Sequence, residues 1–211
     1  MTPDLLLAVP PPPPSAQRVG SDDPDEVRAW VRRHDGDHSR VVHGTGPYGF
    51  RLARIGTPSV QIAWASTRLA NTVRARFRVP TFHVPLGGVQ RYAHGRRWFE
   101  ATMGRLVFVA PDVDVTRHGD GDPLMAIDLD ISAFESEVQS RLGGERVEHP
   151  RVPRTPDLTE PQKHELVAAI AALVHACRPG AAAAAQMHSE SRLLAVLAGT
   201  LTASGNGRIT P

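Results

Sequence analysis

The chain of 211 residues holds a single cysteine, Cys177. One thiol excludes an intrachain disulfide and any cysteine-built metal cluster, and it is compatible with a reducing compartment. Lysine is almost absent too: Lys163 is the only one, so the basic charge is carried by arginine. Helices that read nucleic-acid bases usually combine Arg with Lys, Asn and Gln, and no stretch of that kind occurs. No apolar run approaches the ~18 residues of a membrane span. Leu5–Val9 is too short, and too close to Asp4, to be the core of a secretory signal, which needs ~7–15 apolar residues behind a basic start. A cytoplasmic protein is therefore expected. The Gly-x-Ser-x-Gly elbow, the P-loop and Gly-x-Gly-x-x-Gly are all missing. His34, His38 and His43 lie close together, but no carboxylate or cysteine completes a ligand set at a usual spacing, so they are read as solvated loop residues.

The stretch from Phe77 to Ile131 is the most ordered pattern in the chain. Short runs of Val, Ile, Leu, Phe and Thr alternate with turn signals about every 8–12 residues. The turns are Gly87-Gly88, His94-Gly95, Met103-Gly104, Ala110-Pro111 and Gly119-Asp120-Gly121-Asp122. About six antiparallel strands are predicted here, each too short to bury a face alone, so they must close or stack. Three further strands precede them at Phe50–Ile55, Ser59–Ser66 and Val73–Phe77. Arg74, Arg76 and Arg78 fall on one face of the last, expected to point outward. A short helix with Val27, Trp30 and Val31 on one side follows the acidic start Asp22–Glu26.

Phe82–Gly88, His94–Val115 and Met125–Gly144 together resemble the effector-binding domain of AraC/XylS-type transcriptional regulators. Phe134–Gly143 matches the short helix that ends the family's barrel. Met103-Gly104-Arg105 stands where the family has Pro-Gly-Asp, and Asp112 replaces the Gly expected after Pro111. The resemblance covers roughly Asp22 to Ser204. It implies an α+β fold: a cupin-like antiparallel β-barrel (jelly roll) followed by an antiparallel helical pair. The implied organisation is a disordered Pro-rich tail over 1–20, the cupin-like domain over 21–149, a linker and helical dimerisation pair over 150–204, and a flexible tail over 205–211.

Barrels of this size often hold a small ligand. Trp64, Phe82, His83, Tyr92 and Trp98 are the candidates to contact it, through flat apolar faces with one polar handle each. Cupin enzymes build a metal site from His-x-His, a Glu and a later His. His83 has no histidine two residues away, His94 precedes Glu100 without a paired histidine, and His118 is isolated, so no metal or other cofactor and no catalysis are expected. Asp128 and Asp130 share a strand face and are expected to meet arginines. In the C-terminal part, Thr159 to Gln162 forms a capping box with Pro161 inside it. Leu166, Ile170, Leu173 and Val174 then make a helical stripe. Leu193, Leu194, Leu197 and Leu201 stripe a second helix, where the resemblance implies dimerisation. The expected role is ligand sensing and homodimerisation for a transcription regulator. The alternatives are a cupin-fold enzyme and a free-standing small-molecule binder. The family's helix-turn-helix pair would begin where these residues end, so specific DNA binding is not expected of this chain alone.

Overall fold

The computed structural model describes residues 9–144 and 152–203. The first eight residues and the expected flexible tail over 205–211 lie outside them. In chain order the elements are β1 (Gln17–Ser21), α1 (Pro24–Asp35), β2 (Gly36–Val42), β3 (Phe50–Gly56), β4 (Val60–Ser66) and β5 (Asn71–Phe77). Then come β6 (Thr81–Pro85), β7 (Val89–His94), β8 (Arg97–Thr102), β9 (Val107–Val109), β10 (Asp114–Gly119) and β11 (Leu124–Leu129). Three helices finish the fold, α2 (Ile131–Arg141), α3 (Glu160–Ala176) and α4 (Ala183–Ala203). No helix among the described residues is long and apolar enough to cross a membrane.

The strands form two antiparallel sheets, ordered β1-β3-β4-β11-β6-β9 and β2-β5-β10-β7-β8. Alternation along each strand sends successive side chains to opposite faces. In the first sheet the register aligns Ala53, Trp64, Met125 and Val84 on one face and Arg54, Ala63, Ala126 and His83 on the other. The first face is apolar because a helical layer covers it. Val60, Ile62, Phe82, Val84, Met125, Ile127 and Leu129 share one buried core with Phe134 and Val138 of α2, Leu166 and Ile170 of α3, and Leu193, Leu194 and Leu197 of α4. The second face looks into the barrel, toward the second sheet. The result is three layers: sheet, sheet, helices.

Local chemistry sets the ends of these elements. Asp130 caps α2, its Oδ1 accepting from Ala133 N at 2.9 Å. Thr159 opens α3 with the expected capping box, its N–H donating to Gln162 Oε1 at 2.8 Å. Asp112, where the family pattern has Gly, is the one non-glycine among the described residues with positive φ, at 59°. That turn needs the left-handed region, and Asp is among the few side chains that enter it readily.

Three expectations give way. The disordered tail over 1–20 does not hold from Val9 onward. β1 pairs with β3 from Gln17↔Arg54 to Ser21↔Phe50, and Ala16 is buried. Proline-rich backbone lacks N–H groups but keeps its carbonyls, and Trp64 Nε1 donates to Pro10 O at 3.1 Å. The loop expected around His38 is instead strand β2, paired with β5 from Gly36↔Phe77 to Val42↔Asn71. The proline-spaced linker is also tied down: Arg154 and Phe108 exchange both backbone hydrogen bonds, at 2.7 and 2.9 Å, which covers the edge of β9.

The leucines assigned to dimerisation need a correction as well. Leu193 and Leu197 are fully buried, Leu194 is 7% exposed, and half-buried Leu201 packs against the same core. The wide stripe of α4 is used up inside the protomer, because this helix contacts α3 on one side and α2 on another.

Candidate functional site

The space between the sheets is mostly filled by buried side chains, and a few inward residues remain partly accessible. β11 is one of the two central strands of the first sheet, and Ala126 lies in its middle, facing inward opposite Ala63 and His83. Even so, Ala126 and its inward neighbour Asp128 are only half-buried, whereas Met125, Ile127 and Leu129 on the helical face are buried. Solvent therefore reaches the interior of the barrel. The lining is small where the sheets face each other, with Ala63, Ala65 and Ala126 on one side and Val73 and Ala75 on the other. A recess of about 310 Å³ opens at one end, lined by Arg54, Gln61, Phe77 and Asp128 among others.

Polar groups converge in this interior. One row across the second sheet carries Arg40, Val73, Arg117, Tyr92 and Phe99. Tyr92 reaches across to the first sheet, where its hydroxyl and His83 Nδ1 lie 3.2 Å apart. His83 meets Phe77 edge-on, and Tyr92 stacks on Phe99. Burial, with Arg117 adding to it, pulls the His83 pKa down to about 3, so the ring is neutral. Burial pushes the Tyr92 hydroxyl up, against the opposing pull of Arg117. Arg117 itself is lowered by burial, yet part of its surface stays accessible, as expected beside a cavity. Its NH1 donates to Gln90 Oε1 at 2.6 Å.

Arg40 is 7% exposed and donates to the Tyr48 hydroxyl at 2.5 Å and to His38 Nε2 at 3.2 Å. Its guanidinium also lies over the Tyr48 and Phe50 rings. Burial first, then Arg40 and Arg117, lower the His38 pKa to about 3, so it too is neutral and can accept from Arg40.

Of the five aromatic or histidine candidates, the structure brings His83 and Tyr92 together in the barrel. Phe82 is fully buried on the opposite face, packed with Phe108 and Phe134 at 4.9 and 5.9 Å between ring centres. A one-residue offset from His83 is enough to put it there. Trp98 is 69% exposed on β8, an edge strand of the second sheet, paired with outward-facing Ala93, and it is not a pocket residue.

Trp64 lies on the helical face under the N-terminal arm. With Val9, Pro10, Pro12, Arg18 and Leu86 it lines a separate groove of about 540 Å³. Deleting residues 1–14 should uncover this indole and shift the tryptophan emission to the red; unchanged emission would mean that the arm does not cover Trp64.

Arg40, Arg117, Gln90 and Ala126 were not anticipated from sequence. The available signal was period two in β10, which puts Arg117 on the same face as buried Val115. Of the two aspartates expected to meet arginines, Asp128 lies 3.8 Å from Arg54 and accepts from Thr81 Oγ1 at 2.9 Å, whereas Asp130 caps α2. Cys177 ends α3 with its thiol pKa raised by burial, which suits packing rather than nucleophilic attack. Among the described residues no group of three or more His, Cys, Asp or Glu is placed to share a metal ion.

No protein-family model matches the chain, and no curated protein matches it in sequence. Solved structures do match in shape. The AraC-like transcriptional activator CuxR superposes with a TM-score of 0.68 at 9% identity, covering 89% of this chain and 70% of that one. A cupin superfamily protein from Desulfitobacterium hafniense gives a TM-score of 0.33 at 13% identity, over 59% of this chain and 96% of that one. An RmlC-like cupin from Shewanella frigidimarina gives 0.34 at 14% identity, over 43% and 84%. The expected α+β architecture, an antiparallel β-barrel with a helical layer, is the architecture found, and across most of its length the chain shares its fold with an AraC-like transcriptional activator.

Proposed function

We propose that this chain is the effector-sensing domain of an AraC-type transcriptional regulator: a non-enzymatic, cytoplasmic domain that binds a small molecule inside its barrel. The observation that carries this reading is the partly accessible barrel interior at Ala126, walled by small residues and furnished with a few convergent polar groups, in a fold shared with a transcriptional activator. The strands suit signalling. β6 turns His83 into the barrel and Phe82 onto α2, while β11 turns Ala126 inward and Ile127 outward. A ligand that moves either strand therefore disturbs the packing of the helical layer, and binding shifts the population between two packings. Homodimerisation belongs to the same reading, through surface other than the buried leucines. Met187 on α4, 70% exposed, is a large apolar side chain on such a surface.

The test is a reporter assay. The full chain, fused ahead of a helix-turn-helix DNA-binding unit that needs a partner copy, should change reporter output several-fold when cells are fed fractionated growth extract. Ala126→Leu, which fills this accessible space, should abolish the response while leaving the fusion's abundance unchanged. A reporter that responds equally with the filled barrel would overturn the reading.

A further inference from the structure

Two cations of the barrel, Arg40 and Arg117, have no acidic partner among the described residues. Arg40 and Arg117 sit in one row on either side of Val73, two strand spacings apart, about 10 Å between backbones. No carboxylate lies within ion-pair distance of either one among the described residues. The carboxylate on the inward face, Asp128, is held by Thr81 and Arg54. The polar side chains bonded to the two guanidiniums are Tyr48, His38 and Gln90, all neutral. Leaving a charge out of water without a counter-charge is costly, and proteins that keep such a charge ordinarily meet it with an opposite one.

A second observation points the same way. Gln90 is fully buried, and its Oε1 is taken by Arg117, which leaves the amide Nε2 as the spare donor. That Nε2 has no partner. Gly119 keeps the pair in place: a Cβ there would lie 2.5 Å from Gln90 Oε1 and 3.2 Å from Arg117 NH1. Nearby in the same sheet, Asn71, 3% exposed, spends its amide N–H groups on Thr67 and Leu69 and leaves Oδ1 without a partner. The site thus offers two guanidiniums and one amide donor, with one acceptor beside them.

We infer that the barrel's ligand carries an oxyanion, a carboxylate, phosphate or sulfate, bound by Arg117, Arg40 and Gln90 Nε2, with a hydroxyl or amine next to it facing Asn71. This rests on the sensing reading and narrows it to anionic effectors. Charged fork-like donors suit such groups because guanidinium and oxyanion geometries match.

The experiment compares melting temperatures of the parent, Arg117→Met, Ala126→Leu and the surface control Arg74→Gln. Each is titrated with sulfate, phosphate, and the matched pairs salicylate with salicylamide and glucose 6-phosphate with glucose, at ionic strength fixed with sodium chloride. In chloride alone Arg117→Met should melt at or above the parent, because it removes a buried uncompensated charge. In at least one oxyanion the parent and Arg74→Gln should rise along a saturable curve that Arg117→Met lacks. Non-specific salt exclusion would raise all four proteins alike.

Identical responses in the parent and Arg117→Met, or an Arg117→Met protein that melts well below the parent in every buffer, overturn the anion proposal. Saturable binding of the neutral members alone also overturns it but leaves the sensing reading standing. Ala126→Leu separates the two: a folded protein that has lost the saturable response supports a site in the barrel interior. Collapse of its melting temperature shows a filled core and removes the sensing reading together with the anion.

Discussion

Leu197→Asp is expected to unfold the protein, not to dissociate a dimer. Leu197 is fully buried in the layer where α4 meets α2, α3 and the first sheet. An aspartate there would be an unpaired charge in an apolar interior. Leaving a charge uncompensated in such a place costs about 3–5 kcal/mol, and the lost leucine packing adds about 2–5 kcal/mol. Against a total stability of about 5–15 kcal/mol, that sum removes most or all of the folded population. Far-UV circular dichroism and urea unfolding should show a chain largely unfolded at room temperature. Ala185→Asp, made on an exposed side of the same helix, should keep the parent's urea midpoint. A Leu197→Asp protein with an unchanged midpoint and only a smaller mass in solution would mean that this leucine faces a partner copy after all.

The second large effect is in the acid limb of stability, and it comes from His83. Folded, this ring is neutral, with a pKa of about 3 against an ordinary 6.5. Unfolding frees it to take up a proton once the pH drops below 6.5. Its contribution is therefore complete above that value and is lost as pH falls toward 3, by about 1.4 kcal/mol per pH unit. Between pH 6.5 and 5 the loss is about 2 kcal/mol. His38 changes in the same direction, so the parent as a whole should be acid-labile. His83→Gln can still bond the Tyr92 hydroxyl and does not titrate. Its urea-derived stability should fall less steeply across this window, by about the same 2 kcal/mol. Parallel pH curves for the two proteins would show that the folded His83 titrates normally and is not enclosed.

The fold was readable where local chemistry repeats. Turn residues at Gly87-Gly88, His94-Gly95, Met103-Gly104, Ala110-Pro111 and Gly119–Asp122 mark out the six strands β6 to β11. Asp112 shows the same logic in a harder case, since the turn keeps its left-handed backbone although the glycine is gone. β2 was missed because its inward residues, His38 and Arg40, are polar and break the apolar alternation that signals a strand. The arm was missed because proline content suggests extended, unpaired chain, whereas the carbonyl of Pro10 is fixed by an indole far away in sequence.

The site was only half readable for related reasons. Aromatic residues draw attention as pocket walls, but Phe82 and Trp64 differ from His83 and Ala63 by one position, and one position reverses the face. Sequence alone could not say which face would meet helices. The arginines gave no sign of their role, because Arg117 looks like any other member of an arginine-rich chain until Tyr92 and Gln90 are seen beside it. The α4 stripe was visible, but its width fits a partner copy and an internal sheet equally well; the burial of Leu193 and Leu197 decides for the sheet.

The central claim is that the barrel interior is built to hold a small molecule. Native mass spectrometry of the protein, incubated with a metabolite extract and then desalted, tests it most directly, with Ala126→Leu treated in parallel. The account predicts a non-covalent adduct of small-molecule mass on the parent, at about one per chain, and none on the folded Ala126→Leu protein. A parent that stays at its bare mass throughout, or an adduct retained equally by the filled barrel, would contradict it.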